Sequence, residues 1–164
     1  MPKCQHPDLP LSSAFALKPI EQLLLDILRT LCTGLEHDRL AYWMSAFEMA
    51  DERLGAHDGP EIVSACITML RAIRAERACG FGYMSRECPH ISEDEQDVMK
   101  LIRAGRSAHR SSTHLADAVQ QIATVDDPSR LTAAARAIGA LCNRHQSLQE
   151  FGLGTPQQDS PHVN

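Results

Sequence analysis

Apolar residues recur along most of this chain at alternating spacings of three and four, which is the period of an α-helix with one buried face. Five such stretches lie between residues 18 and 153, separated by glycine, proline and capping residues. We find no stretch in which apolar and polar residues alternate convincingly, as they do in a half-buried β-strand. The pattern predicts an all-α protein whose helices bury their apolar stripes against one another.

The composition agrees with this prediction and excludes several classes of protein. A chain of 164 residues can bury a core without disulfide bonds, and its aromatic content of 4% is low for a β-sandwich or barrel. A net charge of -5 argues against a general nucleic-acid binder. No apolar run reaches the length of a membrane span. The abundance of alanine and arginine is typical of bacterial proteins, and the absence of a signal sequence indicates a cytoplasmic one.

The first three helices are predicted from matched start and stop signals. Helix 1 begins near Pro19 and ends at Gly34, and helix 2 begins at Asp38 and ends at Gly55. Helix 3 follows the Asp58-Gly59-Pro60 turn and ends at Gly80. We expect an irregular N-terminal arm over 1–17, a single bundle domain over 18–153 and a flexible tail over 154–164.

The C-terminal half predicts an antiparallel helical hairpin, formed by about 92–125 and 128–151. Ser92 and Glu95 have the spacing of a capping box, and Asp127-Pro128 restarts the chain after a short turn. The poor helix formers around 105–113 leave open whether the first arm is continuous or broken there. Together the five patterns predict an up-and-down bundle of four to five helices.

Two groups of cysteine and histidine residues are candidate metal ligands. The hairpin register places His109 at the level of Cys142 and His145, a set suited to zinc, iron or an axial heme bond. The loop over 80–91 supplies Cys88 and His90, with Cys79 just before it. The alternative for both groups is that the thiols pack as small apolar groups and the imidazoles bond to backbone or water.

One short motif in these groups resembles that of a known family, and one spacing is repeated within the chain. Cys88-Pro89 resembles the heme regulatory motif, which implies a thiolate bond from Cys88 to heme iron. The Cys4-x-His6 spacing repeats that of Cys88-x-His90, so an arm that folds back would complete four zinc ligands.

Ala108-His109 resembles the start of the Ala-His-x-Leu-Lys-Gly motif of histidine phosphotransfer domains. This resemblance implies a phosphorylated His109 on a helix, although Ser112 and Thr113 stand where that family has its lysine and glycine.

The absence of catalytic motifs favours a non-enzymatic regulatory or adaptor protein that acts through protein contacts. Two short basic stripes, Arg71-Arg74-Arg77 and Arg103-Arg106-Arg110, are typical of solvated faces or of contacts with an acidic partner. Helix 1 and the small-residue line through Gly105 are the faces that we predict for a homodimer. The alternative function is a metal- or heme-binding sensor, and a third is phosphotransfer through His109.

Overall fold

The structure is a computed structural model that describes residues 9–108 and 111–150, with side chains described as far as residue 146. Within that part the chain forms an all-α bundle, as predicted, and no strand. The elements are a 3₁₀ turn at Ser12–Phe15, α1 at Pro19–His37, α2 at Leu40–Glu76, α3 at Glu93–Arg106, α4 at Ser112–Ile122 and α5 at Ser129–Glu150. Helix α1 packs mainly on α2, and α5 packs on both α2 and α3.

Several predicted helix boundaries are confirmed, and others differ from those of the structure. Helix α1 begins at Pro19, and Ser92 opens α3 with the capping box, since its hydroxyl accepts from the Glu95 amide at 3.1 Å. The prediction that Gly34 ends helix 1 is wrong, because α1 continues to His37. Asp38 then closes α1 in the left-handed conformation, at φ 49°, and does not open the next helix.

The second and third predicted helices are joined into α2 with a sharp kink. Gly55 is its one non-helical residue, and a φ of 82° explains why glycine occupies that position. The predicted break at 58–60 is absent, and Pro60 lies within the helix, near the start of its second segment. The kink lets both segments of α2 bury apolar residues in the same core.

The first arm of the predicted hairpin is two helices in the structure. Helix α3 ends at Arg106, and Ser111 caps the new helix α4 by accepting from the His114 amide at 3.5 Å. The first arm is therefore broken between Arg106 and Ser112, within the range 105–113 where the sequence left continuity open. Helix α4 packs mainly on α3, while α5 packs far more on α3 and α2 than on α4.

Helices α3 and α5 cross with their backbones in direct contact at two glycines. A Cβ added at Gly105 would overlap the backbone of Ala135, and one added at Gly139 would overlap the backbone of Gly105. The helix that covers the small-residue line through Gly105 is α5 of the same chain. The apolar face of α1 is also buried, including Leu24, Ile27 and Leu31. Neither face predicted for a homodimer is therefore open to a second copy.

None of the helices in the described part of the chain is both long enough and apolar enough to cross a membrane.

Candidate binding groove

A groove of about 590 Å³ lies where the C-terminal ends of α1 and α2 meet the loop that follows α2. Its floor is apolar and includes Leu35, Leu70, Ile73 and Phe81, of which Leu35 is 52% exposed. Its polar rim residues are Glu36, Arg74, Arg77, Cys79 and Tyr83. This groove is larger than the cavity of about 340 Å³ at the N-terminal end of α1 and has a more apolar lining, so it is the best candidate binding site.

The loop wall of this groove is held in place by the first turn of α3. Asp94 accepts a hydrogen bond from the Gly82 amide at 2.6 Å and pairs with Arg77 at 2.7 Å. The Ser92 hydroxyl donates to the Gly82 carbonyl at 2.7 Å. These bonds satisfy the backbone amide and carbonyl of Gly82 and tie the loop wall to α3.

A buried arginine ties the rest of the same loop to α1. The Arg29 guanidinium, on a side chain 2% exposed, binds both carboxylate oxygens of Glu95, at 2.7 and 2.9 Å. It also donates to the carbonyls of Cys88 and His90, at 2.9 and 2.6 Å. Glu95 accepts in addition from the Met84 amide at 3.1 Å. Every bond is charge-assisted, so this network is a structural anchor for the loop.

The α2 side of the groove carries positive charge. Hydrogen bonding to Asp94 raises the pKa of Arg77, whose Nε also lies 3.0 Å from the Cys79 thiol. Arg74 is exposed at the rim, and no salt bridge joins it to a carboxylate in the described part of the chain. Arg71 precedes it by one helical turn and is equally exposed. The α2 rim is therefore suited to acidic groups.

The opposite side of the groove is closed by a hydrogen bond between Tyr83 and Glu36. Burial and this bond raise the pKa of Tyr83 to about 12, so its hydroxyl stays protonated and donates to the carboxylate. The charge of Glu36 is thereby partly satisfied within the protein. A ligand in the groove therefore meets the unpaired cation, Arg74, on the α2 side.

The structure separates the predicted loop ligands into two places. Cys88 is buried, and its sulfur lies 3.7 Å from Nδ1 of His90, so this pair is in contact. Cys79 is exposed at the groove rim and its sulfur accepts from Arg77. Across the described residues, no three His, Cys, Asp or Glu side chains are grouped in a way that could hold a metal ion.

Cys142 and His145, the predicted hairpin ligands that the structure describes, do not line the groove. Cys142 has no exposed surface, and burial raises the pKa of its thiol to about 11, so it packs as a small apolar group in the core. His145 lies beside Asp58, with Nδ1 4.0 Å from the carboxylate. His109 lies outside the described residues, and so do Cys4 and His6.

Sequence reasoning missed the buried charged residues that hold the elements together. Arg29 and Glu95 are 66 positions apart, and the sequence pattern assigned Glu95 only to the capping box. Glu76 is 6% exposed and accepts from the amides of Arg130 and Leu131, both at 2.8 Å, so it caps α5 from α2. The only signal was a charged residue inside an apolar stripe, as Arg29 is in α1.

Fold and site together define an all-α bundle with an open groove. Comparison with known proteins found no matching family model, no matching curated protein and no matching solved structure.

Proposed function

We propose that this protein is a non-enzymatic, cytoplasmic adaptor that binds an amphipathic, acidic helical segment of a partner protein in the groove. The observation that carries the proposal is the combination of an apolar floor with two cations on one rim, Arg77 paired with Asp94 and Arg74 without a salt bridge in the described part of the chain. A helix laid in a groove buries residues at spacings of three and four, and the polar side of such a helix faces the rim.

Charge complementarity selects the acidic partner. The chain has a net charge of -5, yet Arg74 on the α2 rim is positive and exposed, and the exposed Arg71 lies one helical turn before it on α2. A partner with glutamates on the side facing α2 gains attraction there, and a basic partner is repelled. The hydrogen bonds from α1 and α3 to the loop wall support binding, because a wall held in this way needs less ordering when the partner docks.

The test uses short amphipathic helical peptides that share one apolar face and carry glutamate, glutamine or lysine on the polar face. We expect the glutamate peptide to bind the full chain most tightly in fluorescence anisotropy, with an affinity that falls as salt is added. Arg74→Glu should weaken this binding about fivefold, because attraction at an exposed site becomes repulsion. Leu35→Ser should weaken all three peptides.

Lys18→Glu is the matched control, since it makes the same change of charge at the other end of α1 and should leave peptide binding unchanged. Equal binding of the glutamate and lysine peptides would overturn the proposal. So would a groove covered by a second copy of this chain, seen as a dimer in sedimentation that Leu35→Ser converts to monomer.

A zinc or heme site at Cys88 and His90 is the second candidate, favoured by one observation. The N-terminal arm pairs with this part of the loop, since Leu11 bridges to His90 and the Ser12 amide donates to the Pro89 carbonyl at 2.8 Å. Cys4 and His6 precede Leu11 by only a few positions in the sequence. Metal analysis and an absorption spectrum of untagged protein test it. Stoichiometric zinc, or a Soret band, that is lost in Cys88→Ala would support this candidate, and a metal-free protein would exclude it.

A further inference from the structure

A second cavity, of about 340 Å³, opens at the N-terminal end of α1 and is lined mainly by cations. Its lining consists of Phe15, Ala16, Lys18, Glu21, Arg103 and Arg106. Three of these side chains are positive and one is negative, so the cavity has a net positive charge. Glu21 and Glu36 are separated by about 22 Å along α1, so this cavity is distinct from the groove.

The single carboxylate in this cavity is already satisfied by the protein. Glu21 is 1% exposed, receives hydrogen bonds from Arg103 Nε at 3.1 Å and Nη2 at 2.8 Å, and lies 3.6 Å from Arg106. It also accepts from the Lys18 amide at 3.0 Å. Two cationic charges therefore remain in excess beside this carboxylate.

Two of the three cationic groups retain donors for a ligand, whereas Arg106 is 12% exposed and donates to Asn143 and Gln146. The Arg103 side chain is 38% exposed, and no described contact uses its Nη1. The ammonium group of Lys18 is exposed and forms no salt bridge with a carboxylate of the described chain. A guanidinium and an ammonium on the same cavity suit an oxyanion with several acceptor oxygens.

The cavity also has an apolar wall. The Arg103 guanidinium stacks over the Phe15 ring at 4.8 Å from its centroid, which fixes the guanidinium in the cavity. A volume of about 340 Å³ is at the lower end of the range for small-molecule sites. It exceeds the space that a phosphate group alone would fill.

We propose that this cavity binds a small organic phosphate, with the phosphoryl dianion between Lys18 and Arg103, near the positive charge of Arg106, and the organic part against Phe15. The double negative charge balances the two excess cations, which a monocarboxylate does not. The proposal is independent of the groove and of the partner proposed for it.

The test is calorimetric titration of the full chain at low salt with phenyl phosphate, inorganic phosphate and benzyl alcohol. We expect phenyl phosphate to bind most tightly, inorganic phosphate to bind more weakly and benzyl alcohol not to bind. Lys18→Glu should weaken phenyl phosphate binding about tenfold, and Lys18→Arg should retain it. Arg74→Glu is the matched control and should leave it unchanged.

A second variant moves affinity in the opposite direction. Glu21→Gln removes the only carboxylate of the cavity and should tighten phenyl phosphate binding, provided that its melting curve shows a folded protein. Absence of phosphate binding, or benzyl alcohol binding as tight as that of phenyl phosphate, would overturn the proposal. Equal weakening by Lys18→Glu and Arg74→Glu would also overturn it, since it would indicate a general effect of net charge.

Discussion

Buried charged residues, each bonded to a different element, determine how the helices of this protein are joined. Arg29 joins α1 to α3 and to the loop before it, while Glu76 joins α2 to the start of α5. A buried ion pair adds less stability than its short distances suggest, because both charges lose their hydration. Removal of one partner is costly, since the other stays buried without compensation.

Arg29→Ala should lower the free energy of unfolding by about 3–5 kcal/mol, because it leaves the buried Glu95 carboxylate without its counter-charge and two loop carbonyls without their donor. The measurement is urea denaturation followed by circular dichroism. Arg71→Ala, at an exposed position, is the control and should change stability by less than about 0.5 kcal/mol. A loss at Arg29 as small as that of the control would contradict the anchor role.

Protonation of Glu21 makes the free energy of unfolding depend on pH. Burial raises the pKa of this carboxyl, but the hydrogen bonds from Arg103 and Lys18 and the nearby positive charges outweigh burial, so its pKa lies below the ordinary value of 4.5. A lowered folded-state pKa contributes stability above the unfolded-state pKa, and this contribution is lost as pH falls through the folded-state pKa.

The free energy of unfolding should therefore fall more steeply below about pH 4.5 in the natural chain than in Glu21→Gln. Urea denaturation at a series of pH values from neutral to acid measures the difference between the two proteins. That difference should shrink as the pH falls. A difference that stays constant over the whole range would show that Glu21 is not stabilised as a carboxylate.

At the scale of elements, local signals predicted helix existence better than helix packing. Pro19 and the Ser92 capping box act within a few residues of the chain, so the sequence alone was enough to find them. The break between α3 and α4 was recognised only as an open alternative. The packing of α5 on α2 was missed, because the hairpin argument considered only helices adjacent in sequence.

The α3–α5 crossing gives a direct test at this scale. Gly105→Ala and Gly139→Ala should each lower the free energy of unfolding by about 3 kcal/mol, since the added methyl group meets backbone that cannot rotate away. Gly80→Ala is the control, because a Cβ there meets nothing within 4 Å. Thermal and urea denaturation measure the loss, and equal stability of all three variants would contradict the close crossing.

At the scale of the whole molecule, the two cavities lie near opposite ends of α1 and differ in chemistry. The groove is largely apolar with cations on one rim, and the second cavity is small and cationic. The basic stripe on the third predicted helix remains exposed in its Arg71 and Arg74 members. Arg103 and Arg106 of the second stripe instead pair with Glu21.

The groove itself was beyond sequence reasoning. Its walls come from three segments, at 32–36, 70–77 and 78–83, whose adjacency depends on the kink in α2 and on the Arg29 anchor. The sequence predicted only that the loop at 80–91 or a helix face would meet a partner. The fold, and not the spacing in the sequence, determines which charged side chains line the same cavity.

Amide chemical-shift mapping of the labelled full chain with the glutamate-faced peptide tests the central proposal most directly. We predict changes concentrated in 32–36 and 70–83, with reduced changes in Arg74→Glu. Another apolar surface is available near the start of α2, where Leu40 and Met44 are 74% and 53% exposed. Changes centred on Leu40 and Met44, or no changes at all, would contradict the assignment of the groove as the binding site.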